Sequence, residues 1–187
     1  MEYLGVSIDL KHMPKLDPGF VPFGVWREAY LKGAAIPIAI AVERNDGKIT
    51  VWRTRIHGTE AFARADFRYV ERMVKFLLWS VGGFRIYLCG CHEIAERLRE
   101  DYTPTGNRAF DADFFRKVYE RELEILDRPL EECPQSNEAP RPLGGHLDGC
   151  RIGFDAGGSD RKVSAVMDGE CVYTEEVVWF PKLQEDP

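Results

Sequence analysis

Gly149-Cys150-Arg151-Ile152-Gly153-Phe154-Asp155-Ala156-Gly157-Gly158-Ser159-Asp160-Arg161-Lys162-Val163-Ser164-Ala165-Val166 is the stretch from which the fold is read. Ile152 and Phe154 point one way off a short strand that ends on Asp155. Gly157 and Gly158 then allow positive φ and close backbone approach. Val163, Ala165 and Met167 alternate with Lys162, Ser164 and Val166 along a second strand. Asp168-Gly169 makes a tight hairpin turn, and Cys171 to Trp179 reads as a third strand. The N–H groups around Gly157, Gly158 and Ser159 can converge on an anion. Asp155 would repel a phosphate directly; it suits such a site if Mg²⁺ or its bound water lies between the two. Ser159 offers a hydroxyl, and Lys162 a compact positive charge. The same glycines also suit an ordinary sheet hairpin, since short glycine motifs say little alone.

Ile152-Gly153-Phe154-Asp155-Ala156-Gly157-Gly158-Ser159, followed by strand, turn and strand, resembles the first phosphate loop of the actin-like ATPase and sugar-kinase superfamily. Within it the stretch is most similar to the ROK family of repressors and sugar kinases, over residues 149–182. That family shows an aspartate, a variable residue, two glycines, a threonine and a lysine. Here Ser159 stands in the threonine position, and Asp160-Arg161 intervene before Lys162. The resemblance implies that Asp155, Gly157, Gly158, Ser159 and Lys162 bind nucleotide phosphates, with Mg held by Asp155 through water and ATP as cofactor. It further implies a sugar as second ligand, a second phosphate loop, an adenosine loop and a catalytic aspartate. None of these later parts can be placed before Pro187, so the catalytic residues stay unassigned.

The expectation is therefore the N-terminal part of a ROK-like, ATP-dependent sugar kinase, inactive alone because phosphoryl transfer needs positioning and charge stabilisation from a whole cleft. The alternatives are a non-catalytic ligand- or partner-binding module with a vestigial phosphate loop, and a structural dimerisation piece. The family's cysteine-rich zinc motif is absent, and no basic helix-turn-helix precedes the loop.

Composition narrows the classes. At 187 residues and 44% hydrophobic, the chain can bury a real core. Its net charge of −6 argues against nonspecific nucleic-acid binding, which needs a basic face. No run approaches the ~18 apolar residues of a membrane span, and the acidic start Met1-Glu2-Tyr3-Leu4 is no secretory signal. Five cysteines without a disulfide spacing point to a reducing cytoplasm. Cys89-Gly90-Cys91-His92 invites a zinc reading only if Cys133, Cys150 or His146 joins it; buried thiols are the simpler reading.

Taken in order, Leu4 to Leu10 reads as a strand, and the Pro-rich stretch to Gly33 as an irregular segment anchored by Phe20, Phe23, Trp26 and Tyr30. Ile36, Ile38, Ile40 and Val42 mark a strand, Asn45-Asp46-Gly47 a hairpin, and Ile49 to Ile56 its return. Thr59 to Ser80 reads as a helix with Phe67, Val70, Val74, Leu77 and Leu78 on one face, stopped by Gly82-Gly83. Phe84 to Cys89 reads as a buried, parallel strand fed by that crossover. Gly90 leads into a helix from Cys91 to Asp101, with Glu93 and Arg97 paired at i,i+4. Another helix, capped by Asp111 or Asp113, runs to Leu126. His146 and Asp148 could orient a ligand, though turn chemistry explains them equally well.

The fold class expected is α/β: a ribonuclease-H-like (actin-like ATPase) lobe, with a mixed sheet, antiparallel hairpins and helical crossovers, followed by the start of a second such lobe. Residues 1–130 form the first, degenerate lobe, duplicating the pattern of the second; 131–148 are a Pro/Gly-rich linker; 149–187 are the first three strands of the phosphate-loop lobe. Three uncovered strands leave a sheet face and an edge, which a homodimer through the C-terminal strands would cover.

Overall fold

The computed structural model describes residues 1–138 and 144–185, so the part of the expected linker at 139–143 lies outside the described residues. The chain divides into two compact units, Met1–Ala139 and Pro140–Pro187.

In the first unit, β1 (Glu2–Tyr3) and β2 (Val6–Ser7) form a small hairpin around Leu4 and Gly5, both at positive φ. The strand expected over residues 4–10 is thus broken by its own glycine turn. Helix α1 (Phe23–Leu31) follows inside the stretch expected to be irregular. Trp26 and Tyr30, one helical turn apart, are both buried and stack at 5.1 Å between ring centroids.

Strand β3 (Ile36–Arg44) is apolar on both faces, and Ile38 to Val42 are all buried. The turn at Asn45–Gly47 puts Asp46 and Gly47 at φ of 61° and 63°, and β4 (Lys48–Ile56) returns antiparallel with Ile40 opposite Trp52. Helix α2 (Ala63–Val81) buries Tyr69, Val70, Met73, Val74, Leu77 and Leu78 at helical spacing and ends at Gly82, φ 77°. Each such side chain contributes about 1.5–3 kcal/mol by leaving water.

Strand β5 (Arg85–Cys89) then lies beside β3, and after α3 (His92–Asp101) and α4 (Ala109–Tyr119), β6 (Glu124–Arg128) completes the sheet in the order β4-β3-β5-β6. β5 is antiparallel to β3 and parallel to β6. The crossover through α2 does return the chain in the direction of β4, but it skips one position, so β3 lies between them and runs the other way. The helix expected to reach Leu126 stops at Tyr119, where Glu120 takes a left-handed conformation (φ 53°), and Ile125 becomes a buried strand residue.

One face of this sheet carries Ile38, Ile40, Val42, Ile86, Leu88 and Ile125, in a single core with side chains from all four helices. The other face is lined by the small buried residues Ala39, Ala41 and Cys89. There the turn at Leu130–Glu132 packs against β3 and β5. Residues 136–138 continue to the start of β4: Asn137 N–H donates to Ile49 O (3.3 Å), Ile49 N–H to Asn137 Oδ1 (2.7 Å), and Arg44 pairs with Glu138 at 2.6 Å. Residues 130–138, expected largely as linker, are therefore a strap on the first unit's sheet.

The second unit is an antiparallel meander of β7 (Cys150–Ala156), β8 (Asp160–Met167) and β9 (Glu170–Val178). Asp168 and Gly169, both at positive φ, close its second hairpin. A bulge at Ala165/Val166 leaves Val172 as the extra residue. Ile152, Phe154, Val163, Ala165 and Tyr173 share one face; Gly153, Asp155, Lys162, Ser164 and Glu176 share the other.

The protein is a mixed α/β structure with a mixed sheet and antiparallel strands. The expected duplication fails: residues 4–9 pair only in their own hairpin, so no three-stranded antiparallel start stands beside β5 in the first unit. Among the described residues no helix is long and apolar enough to cross a membrane.

Candidate functional site

The sequence-derived site sits at one end of the second unit's sheet. Register places Asp155 opposite Lys162 and Lys162 opposite Glu176, so the three side chains form a row on one face. Lys162 Nζ lies 3.6 Å from Asp160 Oδ1 and 3.8 Å from Glu176 Oε1. The row crosses the three strands one residue pair in from the loop Gly157-Gly158-Ser159, with Asp155, Ser159 and Lys162 all exposed.

Trp179 shapes this loop. Its backbone N–H donates to Ser159 O at 2.9 Å, and its indole Nε1–H is shared between Gly157 O (2.7 Å) and Asp160 O (3.0 Å). The loop carbonyls of Gly157 and Ser159 are thereby occupied. Among the described residues, the N–H groups of Gly157, Gly158 and Ser159 have no intramolecular acceptor. The positive φ expected of the glycines is not found at either, and close backbone approach is found at Gly157 alone. Gly157 is required by close approach: a Cβ there would lie 2.7 Å from Asp160 O. A Cβ at Gly158 would meet nothing within 4 Å. On the face that carries Lys162, the carboxylates of Asp155, Asp160 and Glu176 outnumber it and give that face an excess of negative charge, while Arg161 lies on the opposite face. A bare polyanion is repelled there, whereas one carrying a divalent cation is not.

A second concavity lies in the first unit, at the carboxyl end of β5. It holds about 600 Å³ and is lined by Ile36, Gly58, Asp66, Cys91, His92 and Arg97, among others. Asp66 is buried and accepts from Tyr30 Oη–H (2.5 Å), His57 N–H (3.0 Å) and Gly58 N–H (2.7 Å). It pins the loop between β4 and α2 to α1, and burial followed by this carboxylate raises the Tyr30 hydroxyl far above its ordinary pKa. Burial pushes the Cys91 thiol up to about 12, which leaves it protonated and a poor nucleophile. His92 is exposed, and its Nδ1 lies 2.6 Å from Asp127 Oδ2, whose hydrogen bond raises the imidazole pKa. The expected Glu93–Arg97 pair does not form; the Arg97 guanidinium lies over the Phe67 ring at 3.7 Å instead.

Among the described residues no group of three or more His, Cys, Asp and Glu side chains is placed to hold a metal, so Cys89, Cys91 and His92 gain no partner set. Sequence reasoning missed Trp179, the clamp of the loop, and the network in which buried Asp111 accepts from Trp79 Nε1–H (2.7 Å) and Lys75 Nζ (3.2 Å). Asp111, expected as a helix cap, faces α2 instead; a lone acidic residue in the otherwise apolar first turn Ala109-Phe110-Asp111-Ala112 was the one signal available. No family model, curated protein or solved structure matches this chain.

Proposed function

We propose that the second unit binds the phosphates of a metal-chelated nucleotide at the Gly157–Ser159 loop, as in a ROK-like, ATP-dependent sugar kinase to which these residues contribute the first phosphate loop. The observation that supports it is the juxtaposition of loop amides lacking intramolecular acceptors with the Asp155–Lys162 row beneath them. In this reading the amides of Gly157, Gly158 and Ser159 face phosphate oxygens and Lys162 neutralises charge. Asp155 takes up Mg through water, as the excess of carboxylates around it favours. Mg supplies charge neutralisation of the polyphosphate, and ATP supplies the phosphoryl group. The ribonuclease-H-like lobe belongs to the same reading: the meander of β7, β8 and β9 is compatible with its first three strands.

Titration of the chain with ATP·Mg²⁺ by calorimetry, beside Asp155→Ala and Lys162→Ala, tests this. Saturable binding that needs Mg²⁺ and falls at least about tenfold, or 1.4 kcal/mol, in Asp155→Ala is expected. Binding that survives both substitutions refutes it. No phosphorylation of any sugar is expected from these 187 residues alone.

A second reading, a ligand- or partner-binding module with a vestigial phosphate loop, is favoured by one observation. Lys162 already stands between the carboxylates of Asp160 and Glu176. Under that reading Lys162→Ala leaves nucleotide binding absent and unchanged.

A further inference from the structure

The outer edge of β4 is paired along only part of its length. Ile49 turns both its N–H and its C=O away from β3, since Asn137 occupies both. By the alternation of an antiparallel ladder, Val51, Arg53 and Arg55 do the same. Pro37 opposite Arg55 fits this parity, because a residue at that register owes β4 no N–H. Among the described residues no acceptor or donor meets the outward groups of Val51, Arg53 and Arg55, and β4 is the last strand in the sheet order.

Beside this edge runs a groove of about 690 Å³ between β4 and helices α1 and α2. Trp52, Phe76 and Trp79 line it and are 38%, 58% and 46% exposed. Arg27, Arg72 and Lys75 line it as well; no carboxylate is among the lining residues, though Lys75 is paired with Asp111. Arg27 Nε is buried without a hydrogen-bond partner among the described residues. On the opposite face of the same strand, Arg53 and Arg55 are exposed and pair with no carboxylate among the described residues. In a chain of net charge −6 this strand and its groove are a local cationic surface.

We infer that the free edge of β4 from Val51 to Arg55 accepts an extended peptide that alternates apolar and acidic residues. The incoming strand bonds its backbone to the outward groups of Val51, Arg53 and Arg55. Its apolar side chains fall on the Trp52 face, into the groove beside Phe76 and Trp79. Its acidic side chains fall on the other face, beside Arg53 and Arg55. The strap already occupies this edge one step earlier, where Asn137 meets Ile49 with its backbone N–H and its side-chain Oδ1. A bare edge next to exposed aromatic residues is otherwise a pairing hazard that folds cover or charge.

The probe is a fluorescein-labelled peptide, Glu-Leu-Glu-Phe-Glu-Leu-Glu, titrated by anisotropy against the full chain. Its counterparts carry lysine for glutamate, or N-methyl groups on one or the other set of alternate residues, so that one methylated peptide is blocked on its pairing face and the second on its outer face. Saturable binding is expected, at least about tenfold weaker for the lysine peptide and lost for the peptide methylated on its pairing face. Arg53→Glu/Arg55→Glu weakens it by about tenfold or more. Arg53→Pro removes one outward N–H while sparing the bonds to β3, and abolishes binding with an unchanged circular dichroism spectrum. Equal binding of both methylated peptides, equal binding of the lysine peptide, or no saturable binding overturns the inference. So does a dimer in sedimentation that Arg53→Pro turns into monomer, because the edge is then occupied by a second copy.

Discussion

Replacing Asp66 with alanine strands three donors at once: the Tyr30 hydroxyl, and the amides of His57 and Gly58. Tyr30 is fully buried, and its hydroxyl loses a charged acceptor that a neutral water replaces only in part, at about 2 kcal/mol. Gly58 and Asp66 both line the cavity at the end of β5, so water can reach the vacated position, and the two amides cost about 1 kcal/mol each. The sum is ~4 kcal/mol, equivalent to a fall in Tm of about 12 °C for a unit of this size. Asp66→Asn keeps one acceptor oxygen but turns an NH₂ toward one of the donors, and is expected to cost about 2 kcal/mol. Tyr30→Phe removes the donor without stranding the carboxylate, which keeps both amides, and costs about 1 kcal/mol. The assay is urea unfolding followed by near-ultraviolet circular dichroism, where Trp26 stacked on Tyr30 reports on this packing. The combined Tyr30→Phe/Asp66→Ala variant should lose less than the sum of the single losses, because the shared bond is counted twice. A loss below about 1 kcal/mol for Asp66→Ala with an unchanged m value refutes the assignment of Asp66 as the pin between α1 and the β4–α2 loop.

Three further outcomes are expected. The His92 imidazole, raised first by its hydrogen bond to Asp127, should titrate above the ordinary histidine range by ring-proton NMR; Asp127→Asn returns it toward that range, and no change in that variant contradicts the pairing. Because the folded-state pKa is the higher one, the pair's stabilisation is complete below the ordinary histidine pKa and fades as pH rises through the raised value. In the native protein at neutral pH, Cys150 and Cys171 should react with a thiol reagent before Cys89 and Cys91, both buried and pushed up to about 12; mass mapping of the label checks the order. Gly106→Ala should destabilise the first unit by about 2–4 kcal/mol in thermal melts, because the new Cβ overlaps the carbonyl oxygens of Glu100 and Asp101 and the backbone must shift.

Legibility followed the range of the forces involved. The β3–β4 and β8–β9 hairpins were readable because alternation and the Asp46-Gly47 and Asp168-Gly169 turns are local. The long helix α2 was readable from its apolar spacing and Gly82. Helix α1 was hidden among prolines because its reason for existing is Trp26 and Tyr30 meeting Tyr3 and Tyr69, distant in sequence. Strand β6 was absorbed into a helix because Glu124 to Arg128 carries no alternation of its own; its pairing with β5 decides it. The β5 neighbour was misread for the same reason, since a crossover fixes direction without fixing how many strands it passes. At the candidate site the residues were readable and the conformation was not. The glycine pair suggested positive φ, but Trp179, twenty-two residues beyond Gly157, pulls on the loop carbonyls and sets the bend.

The strand order also dictates a sequence of events on the ribosome. β3 emerges with β4 close behind, yet its other neighbour, β5, is made only after the whole of α2 has been synthesised. Through that interval a nine-residue strand, apolar on both sides, has one flank paired and the other open to any passing chain. Slowing translation within α2 should therefore raise the yield of insoluble nascent protein, and speeding it should lower that yield.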